Sequence, residues 1–518
     1  FETAHQLGLE GRSAWPAPEA SENYDLIVVG GGVSGLAAAY YYRQDQPDAR
    51  ILILDNHDDF GGHAKRNEFT VNGHHLIGYG GSQSMESPSA YSDEVKLLLK
   101  QLQVNVEDFE TAFDGDFYRK NNLGLGLYFD KATWGKDVLT SASALFRSGM
   151  LEFATSPDSP DALLAAMPLS AEERTQLHNL LYSSDDALPD ISLSNLVDYL
   201  YSISYESFLI RHIGITSQRL LGYLRPMPSG YFGLGTDATS AFECMMFGFP
   251  GLNRTGIPGA NWLAKQAADW LVEPYIYHYP DGNASIARSL VRSLIPEVAA
   301  AGSAADLVQT RFDYSQLDRS EHNVRIRLSS TALHVDNTSS GVKAMYARDG
   351  RIYEATANRC VLACYNMMIP YLCPNLPERQ REALSSLVKA PLVYSNVALS
   401  NWRALKKSQT GMVFTPGMFH DYFMIDFPVS IGGYQFSGSE DDPVVLHFSK
   451  AMIVPGLSPR EQHRAGRAEL LGTSFESMER DLRETLAGAY GSFGFDPQTD
   501  IAAITINRWP HGYAYAYN

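Results

Sequence analysis

Tyr24-Asp25-Leu26-Ile27-Val28-Val29 runs directly into Gly30-Gly31-Gly32-Val33-Ser34-Gly35. A run from Leu36 to Tyr42 follows, and then Ile51-Leu52-Ile53-Leu54-Asp55. An apolar strand, a glycine turn, a helix and a second strand ending in an acid make a βαβ unit with the dinucleotide fingerprint. Each glycine has a separate duty. Gly30 permits the tight turn, Gly32 lets a pyrophosphate approach the backbone, and Gly35 lets the helix sit close to the sheet. The helix start, with Ser34 in its first turn, offers free N–H groups and partial positive charge to phosphates. Asp55 is placed to accept hydrogen bonds from an adenosine ribose.

Four residues past that acid comes Asp59-Phe60-Gly61-Gly62-His63-Ala64-Lys65-Arg66, and soon after it Ile77-Gly78-Tyr79-Gly80-Gly81-Ser82-Gln83-Ser84. A Gly-Gly pair just beyond the ribose-binding acid lets backbone pass close to a bulky ligand. Nicotinamide-binding folds do not need this.

These segments resemble those of the flavin-dependent amine oxidases, with His63 where that family usually has arginine and Lys65 or Arg66 available as the cation. Asp281-Gly282-Asn283-Ala284-Ser285 looks like the family's mid-chain glycine segment, and Val324–Leu328 and Arg359–Tyr365 look like its returning strands. In wording these segments are most similar to those of the bacterial spermidine dehydrogenases. The resemblance implies non-covalent FAD held by Gly30, Gly32, Ser34, Gly35, Asp55, Gly61, Gly62, His63, Arg66, Gly80, Gly81 and Ser82. It implies hydride transfer from the carbon next to a secondary amine to the flavin, followed by hydrolysis of the imine to an aminoaldehyde and a diamine. Two aromatics flank the substrate nitrogen in the family; Tyr434 and Trp509 are expected there, with Tyr513 and Tyr515 as further candidates. Lys389 corresponds to a lysine that holds water near the flavin. Carboxylates must anchor a polyamine's outer ammonium groups; Asp281, Glu243, Asp426, Glu440 and Asp441 are unranked candidates. The relatives combine flavin with non-covalent b-type haem. His5 is the candidate axial ligand, and haem or an external carrier is the expected electron acceptor.

The composition agrees with an enzyme. Acids outnumber bases 59 to 41, giving a formal charge of -18, which argues against a nucleic-acid binder and suits a polycationic substrate. The four cysteines, Cys244, Cys360, Cys364 and Cys373, form no zinc set and no haem-attachment motif, so no metal site is expected. Cys360 and Cys364 read as core thiols on one strand face, roughly 13 Å apart. No run of 18 apolar residues suggests a membrane span. No signal peptide is recognised, and Phe1 without a Met suggests a mature or trimmed form; the relatives' twin-arginine leaders suggest the periplasm.

The expected fold is a Rossmann-like FAD-binding domain of the α/β class (24–88 and 277–365) interleaved with an α+β, sheet-plus-helix substrate domain (89–276 and 366–505). Residues 1–23 form an extension with a possible haem-binding role. The part of the substrate domain before 276 reads as mostly helical. Residues 506–518 read as the start of a return to the FAD domain, whose remainder the chain lacks, so weak flavin binding is expected. Two alternatives stay open: another flavin oxidoreductase of this fold acting on a large apolar substrate, and a non-catalytic binding protein that keeps the fold.

Overall fold

The computed structural model describes residues 15–142, 153–154, 159–252 and 273–514. Among these described residues fifteen strands build two large sheets and one hairpin. They are β1 (Ser21–Val29), β2 (Ile51–Leu54), β3 (Arg66–Val71), β4 (His74–Tyr79), β5 (Gly124–Phe129), β6 (Val138–Ser141), β7 (Val324–Arg327), β8 (Thr331–Thr338), β9 (Gly341–Arg348), β10 (Arg351–Leu362), β11 (Ala390–Leu399), β12 (Thr410–Phe414), β13 (Tyr422–Ile425), β14 (Val444–Ala451) and β15 (Ile501–Tyr513).

The first sheet has the order β7-β2-β1-β10-β9-β8. The pairs β7–β2, β2–β1 and β1–β10 are parallel. Parallel strands covered on both faces read as continuous apolar runs, and Ile51, Leu52, Ile53 and Leu54 are all buried. The helix Val33–Asp45 returns the chain from β1 to β2, and the helix Ala284–Leu294 packs beside it. Nine residues of that second helix, including Arg288, are buried, because it lies inside the first domain's core.

The second sheet runs β15-β11-β14-β13-β12-β5-β6. The 89–276 segment, expected to be mostly helical, is built mainly of helices and loops among its described residues. That segment also supplies β5 and β6, with β5 parallel to β12. The reason is legible afterwards: Leu125, Leu127, Tyr128 and Phe129 are all buried, and a short run buried on both faces carries no alternation to announce it. The expected junction at 505/506 falls inside β15, which pairs with β11 from Ile501 to Tyr513. Residues 260–271, which the sequence also reads as a helix from Ala260 to Leu271, lie outside the described residues. All four cysteines are free; Cys360 is in β10, while Cys364 lies past the strand's end, so the two do not share one strand face. No helix among the described residues is long and apolar enough to cross a membrane.

The hairpin β3–β4 joins the sheets. Asn72 and Gly73 form its turn with φ of 51° and 81°, the pair of left-handed residues that a two-residue hairpin favours. Phe69, Val71 and Leu76 pack on Ala398 and Val445 of the second sheet. At the far end of β4, the Asn396 side-chain amide donates to the Tyr79 carbonyl at 2.8 Å and His447 lies 3.0 Å from the Asn396 carbonyl oxygen. The Tyr79 ring stacks on His447 with centroids 4.1 Å apart.

Candidate active site

The fingerprint glycines divide by the space around them. Gly30 has φ +111°, and a Cβ there would lie 2.6 Å from the Ala363 carbonyl. A Cβ on Gly35 would overlap the Gly30 carbonyl, so Gly35 is a close-packing glycine. Gly32 is different. It is extended at φ -72° and ψ 175° as the helix N-cap, and a Cβ would find nothing nearer than 3.8 Å. Its lack of a side chain is unexplained by protein packing and fits a ligand close to the backbone. Ser34 sits in the first turn of that helix, whose leading N–H groups have no intrahelical partners. Asp55, 7% exposed, accepts from the Gly31 N–H at 2.7 Å and the His57 N–H at 2.8 Å. Burial pushes its carboxyl above the usual carboxylate range against these donors. Each oxygen carries one N–H, leaving acceptor capacity for a ribose hydroxyl.

The second and third glycine segments are knitted onto the first. The Gly61 N–H donates to the Gly31 carbonyl at 2.8 Å, and Gly62 brings its backbone next to Gly32. The Ser82 N–H donates to the His63 carbonyl at 2.6 Å, and the Gly80 N–H to the Lys65 carbonyl at 2.7 Å. Asn283 closes the set, its side chain reaching Ser82 Oγ at 2.8 Å. Four segments about 30, 20 and 200 residues apart in sequence thus become one surface.

Trp509 completes it. Its indole N–H donates to the Gly80 carbonyl at 2.6 Å, and its ring meets His63 edge-on at 4.9 Å. A Cβ on Gly81 would press on the Trp509 ring at 3.2 Å. His63 Nε2 lies 3.0 Å from the Tyr365 hydroxyl. Burial, and then the Lys389 and His57 charges, lower the His63 pKa to about 4, so the imidazole is neutral at physiological pH. Lys389 stands with Nζ 6.0 Å from the Tyr365 ring centroid. Lys389, His63 and Trp509 therefore converge. Tyr434 does not join them: its hydroxyl accepts from the Ile77 N–H at 3.4 Å and its ring is packed in the first domain's core. Ile77 and Gly80 are about 10 Å apart along an extended chain. Arg66 also turns elsewhere, pairing with the buried Asp281 at 2.8 Å and with Glu68. His5 and Tyr515 lie outside the described residues.

Two connected cavities approach this surface from the second domain. The larger, about 190 Å³, is lined by Tyr223, Tyr231, Phe247, Phe249, Phe414 and Tyr422 among others. The smaller, about 30 Å³, is lined by Leu392, Tyr394 and Tyr513. They share Ser229, Gly230, Asp421 and Tyr422. Tyr394 meets Tyr79 edge-on at 6.1 Å, one residue before Gly80. Three of the five expected anchoring carboxylates are committed elsewhere: Asp281 to Arg66, Glu243 to the capping box of its own helix, and Asp441 to Arg403 at 2.5 Å. Asp426 is buried, with Oδ2 unpartnered, and burial pushes its carboxyl up to about 8. The carboxylate that does line the cavities is Asp421, held by Lys450 at 2.8 Å and by the Ser229 hydroxyl at 3.0 Å. Asp421, Tyr394 and Tyr365 gave no sequence signal. They sit on the second sheet or just after β10, and only tertiary folding faces them toward the glycines.

Residues 28–102 match the family described as the NAD(P)-binding Rossmann-like domain. The sarcosine oxidase subunit beta of Arthrobacter sp is 31% identical over 83 residues, 16% of this chain and 19% of that protein. The match therefore spans about a fifth of the relative's length. A solved structure assigned as a protoporphyrinogen oxidase from Exiguobacterium sp. 255-15 is similar over 96% of this chain and 88% of its own, at 15% identity and a TM-score of 0.51. A putrescine oxidase triple mutant covers 96% and 88% at 14% identity and a TM-score of 0.49. The chain thus carries a Rossmann-like domain at residues 28–102 and a second mixed sheet, in a fold shared with the structure assigned as a protoporphyrinogen oxidase.

Proposed function

We propose that the protein is an FAD-dependent amine oxidoreductase, and within that class a polyamine dehydrogenase of the spermidine type. The observation that supports this most is the open backbone at Gly32, joined through Gly61 and His63 to a surface where Trp509 meets Gly80. FAD on that surface would take the two electrons that leave a C–N unit as the amine becomes an imine. Gly32 and the helix start would hold its pyrophosphate, Asp55 its ribose, and the backbone of Gly61, Gly62, Gly80 and Gly81 the flavin half. The sarcosine oxidase relative supports the substrate class, since sarcosine is itself a secondary amine.

The chain's own residues would bind, orient and dry the substrate. Tyr394 and Tyr513 line the inner cavity and replace Tyr434 as the aromatics proposed beside the reacting nitrogen. Aromatic faces attract alkylammonium groups, while the scarcity of free carboxylate charge favours a neutral reacting amine. Neutral His63 would hold its place through Tyr365 without adding charge. Lys389 is proposed to hold the water that later attacks the imine. Asp421 is the proposed ammonium anchor. Haem enters the proposal through His5 alone, and a periplasmic location through the resemblance alone.

A second reading draws on one observation. The outer cavity is aromatic, and its one lining carboxylate, Asp421, is matched by Lys450, which would suit an apolar substrate. Anaerobic mixing of the FAD-loaded protein with spermidine, a monoamine or an apolar polyene separates the readings. Bleaching of flavin absorbance by spermidine is expected. Bleaching only by the polyene supports the second reading and overturns the first. A Soret band in the purified full-length protein, lost in His5→Ala, would support haem ligation.

A further inference from the structure

A further cavity shares no lining residue with the two cavities of the proposed active site. It is an open groove of about 910 Å³ between the chain around Asp59–Glu68, the helix Ala284–Leu294 and residues 309–315. None of the nucleotide-site glycines lines it. Its volume is at the upper end for small-molecule sites.

Arg288 is the unusual group in its wall. The residue is 7% exposed. One guanidinium nitrogen donates to the carbonyls of Leu307, at 3.2 Å, and Thr310. Nε has no hydrogen-bond partner, and the guanidinium carbon lies 4.0 Å from the Phe312 ring centroid. Among the described residues no carboxylate forms an ion pair with it. The neighbouring charges are already spent: Asp59 on Lys65 at 3.0 Å and Glu68 on Arg66, and Asp281 on Arg66 at 2.8 Å. The third lining carboxylate, Asp313, caps its own turn through Ser315 and Gln316. A buried cation without a counter-ion is costly, and burial together with the Arg66 charge lowers the Arg288 pKa. Three carboxylates and three arginines line the groove, and Arg288, buried with no carboxylate paired to it, is the group there that suits an anion.

The same groove holds a fixed aromatic platform. Tyr314 is 43% exposed, yet its ring is pinned on both sides of its motion. It stacks on Phe60 at 5.6 Å and 21°, and its hydroxyl donates to Asp59 at 2.7 Å. A pre-positioned ring loses little freedom when another ring stacks on it. The terminal guanidinium nitrogen of Arg288 that donates to neither carbonyl suits a charge-assisted hydrogen bond to a carboxylate or phosphate.

We propose that this groove is a second ligand site, distinct from the nucleotide cradle, for a planar aromatic anion whose charged group meets Arg288 and whose ring stacks on Tyr314. The site does not depend on the flavin reading: the two groups proposed to meet the ligand, Arg288 and Tyr314, lie outside the glycine segments, although Asp59, Phe60, Ala64, Arg66 and Ala284 of those segments line the groove.

The test is calorimetric titration of the full chain with 2-naphthoate, run with and without saturating FAD, against its uncharged isostere 2-naphthamide. One 2-naphthoate should bind per chain, at least tenfold more tightly than the amide, with the same affinity in both flavin states. Arg288→Met should weaken binding at least tenfold. Because that change also removes two carbonyl partners, Tyr314→Leu, an exposed position, is the second variant and should weaken binding severalfold with an unchanged melting temperature. Absence of binding at millimolar probe, equal affinity for acid and amide, unchanged binding in Tyr314→Leu, or competition by FAD would each overturn the proposal.

Discussion

Gly32→Ala separates ligand space from folding space. In the protein alone a Cβ at Gly32 meets only Gly62 Cα at 3.8 Å and the Gly61 carbonyl at 3.9 Å, which is ordinary contact. The backbone there is extended, so alanine fits without strain. Removing a glycine from such a position stabilises a fold by about 0.4–1 kcal/mol through the unfolded chain. The melting temperature should therefore hold or rise slightly. Nucleotide binding should behave oppositely. A methyl in front of the helix start holds a phosphate off the backbone N–H groups. Each hydrogen bond to a charged group contributes about 1.5–3 kcal/mol, so losing one costs about that much. At 1.4 kcal/mol per tenfold, FAD affinity should fall about 10- to 140-fold. The assay is quenching of flavin fluorescence on titration with apoprotein, beside a thermal melt of each variant. Gly35→Ala is the control. Its Cβ overlaps the Gly30 carbonyl, so it should lose about 1–3 kcal/mol of stability. Flavin affinity within threefold of wild type in a normally folded Gly32→Ala protein would refute the cradle.

Three further outcomes are expected. Trp509→Phe should lower stability by about 1–3 kcal/mol in urea denaturation, since it strands the buried Gly80 carbonyl without opening a large cavity. Asp281→Ala should cost about 3–5 kcal/mol in the same assay, because it leaves Arg66 buried with only the more exposed Glu68; a loss below 1 kcal/mol would contradict that pairing. The pH dependence has two opposed parts. Burial depresses His278 and His447 to about 3, so between pH 3 and 6.5 the unfolded chain binds more protons at these sites and stability rises with pH. Asp426, raised to about 8 by burial, binds its proton in the folded state from about pH 4 to 8, so its contribution falls as pH rises through that window. Asp426→Asn should consequently gain on the order of 5 kcal/mol over wild type at pH 8.5 and little at pH 4; parallel pH–stability curves for the two proteins would rule this out.

The sequence by itself determined the first domain's beginning. Residues 24–55 carry strand, turn, helix, strand and acid in contiguous order, and each glycine's duty follows from local geometry. Gly30 and Gly35 touch backbone within their own unit or its neighbouring strand, and the free space at Gly32 follows from the helix start. The hairpin turn at Asn72-Gly73 is local in the same way. The convergence of Gly61, Gly80 and Trp509 was legible as resemblance, and the structure supplied the bonds. What the tertiary structure alone decided concerns side chains whose partners lie hundreds of residues away. Tyr434 and Trp509 are equally aromatic in sequence, but β15 carries Trp509 to Gly80 while the packing of β4 draws Tyr434 into the first domain's core. Arg66 reads as a phosphate cation until Asp281 is folded against it. Asp421 and Arg288 are one acid and one base among many, and what distinguishes them is which charges stand near. Burial and charge pairing are sums over the whole chain, so no local window of sequence contains them.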